Sequence, residues 1–273
     1  MWLIRPKLNR GSACATSGAP GIFPPVTGER VVVVGDAHLG VGDPADEEAC
    51  HDFLAAVPDI GTRLLIVGDL FDFWFEYRAV IPRRPFRTLT RLAALVKRGI
   101  PVDFVGGNHD RWGGSFWSRD LGIPFHGDEA DLALAGRKTC VVHGDGLSDF
   151  KLGARVLHRM LRSTVTTSVF RLLHPNLGFA IAERLSDLLG ESNRSGAVAD
   201  AAARVQEQWA RALLDRRPEV QLVILGHTHR RALLEHAPGR WYLNAGQWMG
   251  DRHYAVITAE TIRLLTWPKR PEL

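Results

Sequence analysis

The sequence predicts an α/β fold organised around a largely parallel sheet. Short apolar runs rich in β-branched residues recur along the chain, and several of them stop at glycine. Stretches with apolar residues at helical spacing separate the first of these runs. Strands alternating with helices of this kind are the pattern of βα units.

Val31–Val34 is a continuous valine run closed by Gly35, as expected of a strand buried on both faces. Asp43 and Pro44 form a helix N-cap and first-turn pair, with Cys50, Phe53, Leu54 and Val57 at helical spacing behind them. Residues 64–67 form a second strand, ending at Gly68. Leu89, Leu92, Ala93 and Val96 mark a second helix, closed by Lys97, Arg98 and Gly99. Val102–Val105 is a third strand, and 132–134 with 139–142 form a strand pair around Gly136. From 150 to 217 the pattern is helical, with pieces near 152–161 and 179–189. A long stripe follows through Val198, Ala201, Ala202, Val205, Trp209, Ala212 and Leu213. Strands resume at Leu222–Leu225, 241–243, 254–257 and 262–265. This predicts a core of two sequence parts, 29–149 and 218–268, with a helical insertion at 150–217. Residues 1–28 read as a disordered extension, or as the product of a misplaced start codon.

Composition narrows the function classes. With 45% apolar and 23% charged residues the chain is ordinary globular protein, neither disordered tail nor disulfide scaffold. A net charge of +4 is too small to imply nucleic acid without a local patch, and none is expected as a partner. The three cysteines, Cys14, Cys50 and Cys140, contain no CxxC pair and suit a reducing cytoplasm. No apolar stretch reaches the length of a membrane span, and the N-terminal residues lack the apolar core of a signal peptide.

The chemistry is concentrated behind the strands. Five loops follow strong strands: Gly35-Asp36-Ala37-His38, Gly68-Asp69-Leu70-Phe71-Asp72, Gly107-Asn108-His109-Asp110, His143-Gly144-Asp145 and Gly226-His227-Thr228-His229. In open α/β sheets ligands bind beyond the carboxyl ends of the strands, so these loops should converge. Their donors are carboxylate oxygen and imidazole nitrogen without thiolate, a set suited to Mn²⁺, Fe or Zn²⁺. The ligands exceed the needs of one ion. Two divalent ions roughly 3.5–4 Å apart would generate a hydroxide and clamp the oxygens of an in-line phosphoryl displacement. A P-loop, a dinucleotide fingerprint and a GxSxG elbow are all missing from the sequence.

In that order these loops resemble the calcineurin-like metallophosphoesterases, whose series is D-x-H, GD-x-x-D, GNHD, HGD and GH-x-H. The resemblance implies a four-layer α/β/β/α sandwich with a helical lid insertion. It implies that Asp36, His38, Asp69 and His229 hold one metal, and that Asp69, Asn108, His143 and His227 hold the other, with Asp69 bridging. His109 would protonate the leaving oxygen or stabilise phosphoryl charge, and Asp110 would orient His109. A metal-bridged hydroxide would attack phosphorus without a covalent enzyme intermediate.

Residues 68–77 (Gly-Asp-Leu-Phe-Asp-Phe-Trp-Phe-Glu-Tyr) and the insertion resemble the UDP-2,3-diacylglucosamine pyrophosphatase branch. Arg230, Arg231 and Ala232 after the last motif fit it too. That likeness implies cleavage of the UDP-sugar lipid to lipid X (2,3-diacylglucosamine 1-phosphate) and UMP, usually with Mn²⁺, under a lid that holds acyl chains. Phe71, Phe73 and Phe75 have core packing as their other reading. The best-known subgroup carries Arg where this chain has His109, so the chain is closer to its divergent relatives. A soluble phosphodiesterase or phosphatase acting on nucleotides or other small phosphate esters is the alternative. The insertion carries 11 Lys and Arg against 6 Asp and Glu. A basic amphipathic element suits an anionic lipid surface, predicting a cytoplasmic protein peripheral on the inner face of the membrane. A plain helical cap is the other reading. Arg155, Arg159 and Arg162 at helical spacing are candidate phosphate contacts, and Asp149 a candidate for a sugar hydroxyl.

Overall fold

A computed structural model describes residues 28–147, 163–190 and 196–268. Among the described residues, eleven strands form two facing sheets. The first contains β1 (Val31–Val34), β2 (Arg63–Val67), β3 (Val102–Val105), β4 (Phe125–His126), β10 (His253–Ile257) and β11 (Ile262–Thr266), in the order β11-β10-β1-β2-β3-β4. Strands β1 to β4 run parallel, and β10 returns antiparallel to β1. The second contains β5 (Glu129–Leu134), β6 (Arg137–Val142), β7 (Leu222–Leu225), β8 (Ala232–Ala237) and β9 (Arg240–Asn244), in the order β5-β6-β7-β9-β8. The described helices are α1 (Pro44–Ile60), α2 (Phe86–Lys97), α3 (Ser115–Arg119), α4 (Thr164–Phe170), α5 (Pro175–Gly190) and α6 (Gly196–Arg216).

The alternation of side chains along each strand makes the layers. Val31, Val33, Leu65 and Val67 point to the second sheet and pack with Val141, Leu222, Ile224 and Leu243. Their neighbours Val32, Val34, Leu64 and Ile66 point the other way, onto Phe53 and Leu54 of α1 and Leu89 and Leu92 of α2. On the far side, Val223, Leu225, Cys140 and Tyr242 pack with Ala210, Leu213 and Leu214 of α6. The result is the α/β/β/α sandwich. Strands buried on both faces need the continuous apolar runs seen in the sequence, and each large side chain so placed contributes about 1.5–3 kcal/mol. Asp43 caps α1 as its sequence position requires, with Oδ1 accepting from the Ala45 amide at 2.8 Å.

Strands β4 and β8 and helix α3 are additions to the sequence reading. Strand β8 has no β-branched residue and lies at the sheet edge, where pairing with β9 fixes it. Helix α6 differs in phase. Its fully inward positions are Gln206, Ala210, Leu213 and Leu214, whereas Val198 and Ala212 of the expected stripe are exposed. Phe71 and Trp74 join the first core cluster. Phe73 and Phe75 instead meet Trp112 and the insertion, where Phe170 of α4 lies 4.7 Å from Phe75 and Phe179 of α5 lies 5.9 Å from Phe73, centroid to centroid. The expected helix near 152–161 and the extension to residue 27 lie outside the described residues.

Candidate metal centre

The five loops meet at the carboxyl ends of β1, β2, β3, β6 and β7. The first two are zipped together by backbone: the amides of Asp36, Ala37, His38 and Leu39 donate to the carbonyls of Gly68, Asp69 and Leu70. Close approach requires glycine. A Cβ on Gly107 would lie 2.2 Å from Asp69 Oδ1, and one on Gly68 would lie 2.3 Å from His143 Nδ1. Asp36, His38, Asp69, His227 and His229 all have φ between 44° and 69°. They account for five of the seven non-glycine positive-φ residues among those described. Left-handed backbone costs a non-glycine residue of order 1–3 kcal/mol and clusters at functional sites.

Polar atoms converge where the motifs place them. His229 Nε2 lies 3.4 Å from Asp36 Oδ1 and 3.4 Å from His38 Nε2. His38 Nε2 lies 3.8 Å from Asp69 Oδ2, and His143 Nε2 lies 3.1 Å from the same oxygen. Two three-residue sets have ligand atoms close enough to share an ion, Asp36 with His38 and His229, and Asp69 with His143 and His227. A third contains His38, Asp69 and His109. His143 Nδ1 donates to the Val67 carbonyl at 2.9 Å, which leaves Nε2 facing Asp69. Asn108 Oδ1 is buried without a hydrogen-bond partner, an orphan that a cation beside Asp69 would satisfy.

The electrostatics fit a cation site. Burial raises the cost of charge on Asp69, but His143 and His109 outweigh it and hold the carboxyl well below its usual range. Asp36 is likewise held low by His229 and His143 against its burial. Burial, helped by the charge of His109, pushes His38 down to about 3, and burial with His143 pushes His227 down to about 4. A divalent ion needs ionised carboxylates and neutral imidazoles, which Asp36, Asp69, His38 and His227 supply. Against their burial, Asp69 raises His143 and Asp36 raises His229, so an ion there must displace a proton from each.

His109 is brought to the edge of this group. Its amide donates to Asp69 Oδ1 at 2.9 Å, and its ring lies edge-on to His38 at 4.6 Å. Its orienting partner differs from the expected one: Nδ1 donates to the Asp72 carbonyl at 2.5 Å. Asp110 is buried beneath the loops instead. Its carboxyl accepts from the amides of Gly107 at 2.7 Å, Leu70 at 2.8 Å and Asp69 at 3.3 Å. A buried carboxyl surrounded by three backbone donors is committed to the loops, which is why the imidazole takes another acceptor.

Two further residues brace the site and its surroundings, Arg111 just beyond the third motif and Glu76 within the aromatic stretch 68–77. Arg111 pairs with Asp145, joining the third loop to the fourth, and also reaches Asp128 at 3.3 Å. Glu76 accepts from the amides of Gly114 at 2.6 Å and Phe116 at 3.2 Å. The candidates Asp149, Arg155, Arg159 and Arg162 lie outside the described residues.

The chain is similar to known proteins over most of its length. The family model described as calcineurin-like phosphoesterase matches residues 29–231. A UDP-2,3-diacylglucosamine hydrolase of Porphyromonas gingivalis is 28% identical over 255 residues, covering 86% of this chain and 96% of that protein. One of Escherichia fergusonii is 27% identical over 238 residues, covering 86% and 98%. Among solved structures, the phosphoesterase Yfce of E. coli overlaps 88% of this chain and 100% of its own at 15% identity, with a TM-score of 0.40.

Proposed function

Because the chain belongs to the calcineurin-like phosphoesterase family, we propose that it cleaves the pyrophosphate of UDP-2,3-diacylglucosamine, giving lipid X and UMP. One observation carries the choice of substrate: relatives named for hydrolysing that compound align over nearly their whole length. The half-buried aromatics Phe73, Trp112, Phe170 and Phe179, packed on the buried Phe75, support it, since an acyl substrate needs apolar surface.

In this reading Asp36, His38, Asp69 and His229 hold one divalent ion, and Asp69, Asn108, His143 and His227 the other. The donor set suits Mn²⁺, Fe or Zn²⁺, and the resemblance to the pyrophosphatase branch favours Mn²⁺. Bound ions of this kind supply Lewis acidity and an activated water for in-line attack at phosphorus. The protein's own part is orientation and proton supply. Asp69 spans the two ligand sets, and Asp110 fixes the loops that carry Asp69 and Asn108. With Nδ1 committed to the Asp72 carbonyl, His109 offers Nε2 to protonate the leaving oxygen or to bond a phosphoryl oxygen.

The helical insertion at 150–217 is the lid of this reading. Asp149, Arg155, Arg159 and Arg162 are its candidate substrate contacts. Val165, Val169, Leu172 and Leu177 are exposed apolar residues of the insertion. With its basic excess they favour attachment to the anionic inner face of the cytoplasmic membrane. No described helix is long and apolar enough to cross a membrane. His109, in place of the subgroup's Arg, favours the second reading, a soluble phosphodiesterase for nucleotides or small esters.

Purified protein supplied with Mn²⁺ and UDP-2,3-diacylglucosamine should release UMP and lipid X. Rapid turnover of a generic diester with no UMP release would select the second reading instead. Metal analysis of protein prepared without chelator should return two ions per chain.

A further inference from the structure

Helix α6 reaches the metal loops through a buried side chain, besides the exposed pair of Asp200 with Arg230 just beyond the fifth loop. Of its inward positions, Ala210, Leu213 and Leu214 fill the apolar cluster against the second sheet, while Gln206 sits above them, fully buried. An amide taken from water into an apolar place without partners costs roughly 2–7 kcal/mol, so this position requires partners. It has two. Gln206 Nε2 donates to the Gly144 carbonyl at 3.3 Å, and Oε1 accepts from the Thr228 hydroxyl at 3.1 Å. Gly144 follows His143, and Thr228 separates His227 from His229.

The polar chain continues beneath the fifth loop. Asn244 Nδ2 donates to Thr228 Oγ1 at 3.3 Å and to the Gly226 carbonyl at 3.2 Å, while its Oδ1 accepts from the Gly246 amide at 2.9 Å. The fit at the other end is close. Gly144 has φ of 99°, and a Cβ there would lie 2.5 Å from Gln206 Nε2. One amide therefore bridges the loops that supply His143 and His227, whose rings stand edge to face with centroids 5.3 Å apart. The loop pair carrying Asp36, His38 and Asp69 is held by its own backbone zipper, which Gln206 does not touch.

We propose that Gln206 is a positioning residue for the ion held by Asp69, His143 and His227, its amide setting the separation of the fourth and fifth loops together with the bond from the Gly226 amide to the His143 carbonyl at 2.9 Å. The proposal rests on the ligand reading given above. It makes the last helix of the insertion part of the metal centre's support. Groups that orient metal ligands from outside typically account for about 10–100-fold in metal affinity or activity.

The test compares wild type with Gln206→Leu, which keeps the volume and removes both bonds, and with Thr228→Val and Thr228→Ser. Mn²⁺ is titrated into metal-stripped protein and free Mn²⁺ is followed by electron paramagnetic resonance. Turnover of bis(p-nitrophenyl) phosphate gives kcat and KM. Gln206→Leu should bind one ion like wild type and the other about 10–100-fold more weakly. Its kcat should fall at limiting Mn²⁺ and recover with excess Mn²⁺, with KM changed by less than about twofold. Thr228→Val should match it, Thr228→Ser should match wild type, and the double variant Gln206→Leu with Thr228→Val should be no worse than either single one. Unchanged affinity for both ions, even with a lowered Tm, overturns the proposal. Should Gln206→Leu fail to fold, equal second-ion affinity in Thr228→Val and Thr228→Ser overturns it. A wild-type chain that binds no more Mn²⁺ than Asp69→Asn would overturn the ligand reading itself, a separable outcome.

Discussion

Asp69 is the residue on which most of the site depends. Its Oδ2 is within 4 Å of His38 and His143, its Oδ1 accepts from the His109 amide, and its backbone carbonyl receives two amides of the first loop. Asp69→Asn keeps the shape but removes the charge shared by both ligand sets. Turnover should drop at least about a thousandfold, equivalent to ~4 kcal/mol of transition-state stabilisation. Steady-state kinetics with saturating Mn²⁺ check this, and near-normal turnover would refute the bridging role. Asp110 acts differently. Burial, with the nearby charge of Asp69, pushes its carboxyl up to about 7, yet three backbone amides point at it. In Asp110→Asn the new NH₂ replaces one acceptor, so an amide of the loops loses its partner whichever way the group turns. That costs about 1–3 kcal/mol, read as a lower Tm in metal-free protein, where a pure effect on His109 would leave Tm unchanged.

Elements differ in how far the sequence announces them. Strands β1, β2 and β7 are legible because burial on both faces favours β-branched and aliphatic residues, β3 by its flanking valines despite the buried Asp103, and helix α1 because Asp43 and Pro44 mark its start. The five loops are legible because metal chemistry restricts residue type and order. The phase of α6 is not, since an alanine-rich helix has several near-equal faces and the deciding residue, Gln206, is polar. Arg111 and Glu76 are hidden for a similar reason: their partners are distant in sequence and carry no spacing rule. The packing of α1 on α2 contains another such contact, the buried His51, whose Nε2 lies 3.0 Å from Thr88 Oγ1. Burial, reinforced by Arg87, holds this imidazole below its ordinary value of 6.5. The unfolded chain therefore binds more protons once the pH falls below that value. The stability that neutral His51 confers is complete above it and declines as pH drops toward the depressed folded value. Urea unfolding of wild type and His51→Gln from about pH 8 to about pH 5.5 should show the wild-type advantage shrinking with acid, and a constant difference would exclude the linkage.

At the scale of the molecule, the insertion divides into parts with different jobs. Helices α4 and α5 touch the core through aromatic contacts of Phe170 and Phe179 with the Phe73, Phe75 and Trp112 face. Helix α6 covers the outer face of the second sheet, and Leu213, Leu214 and Ala210 are buried against Val223, Leu225 and Tyr242. Removing 148–217 would strip that face. Two buried leucines alone account for about 3–6 kcal/mol, a large part of the 5–15 kcal/mol that holds a typical domain together. It would also delete Gln206. Replacing only 148–195 by a short Gly/Ser linker leaves α6 in place. The shorter deletion should remain folded by far-UV circular dichroism and hydrolyse bis(p-nitrophenyl) phosphate within about tenfold of wild type, while losing turnover of UDP-2,3-diacylglucosamine and binding to anionic vesicles. The longer deletion should yield no soluble folded protein. Undiminished lipid turnover by the shorter form would remove the lid from the proposed function, and a well-folded longer form would remove α6 from the core.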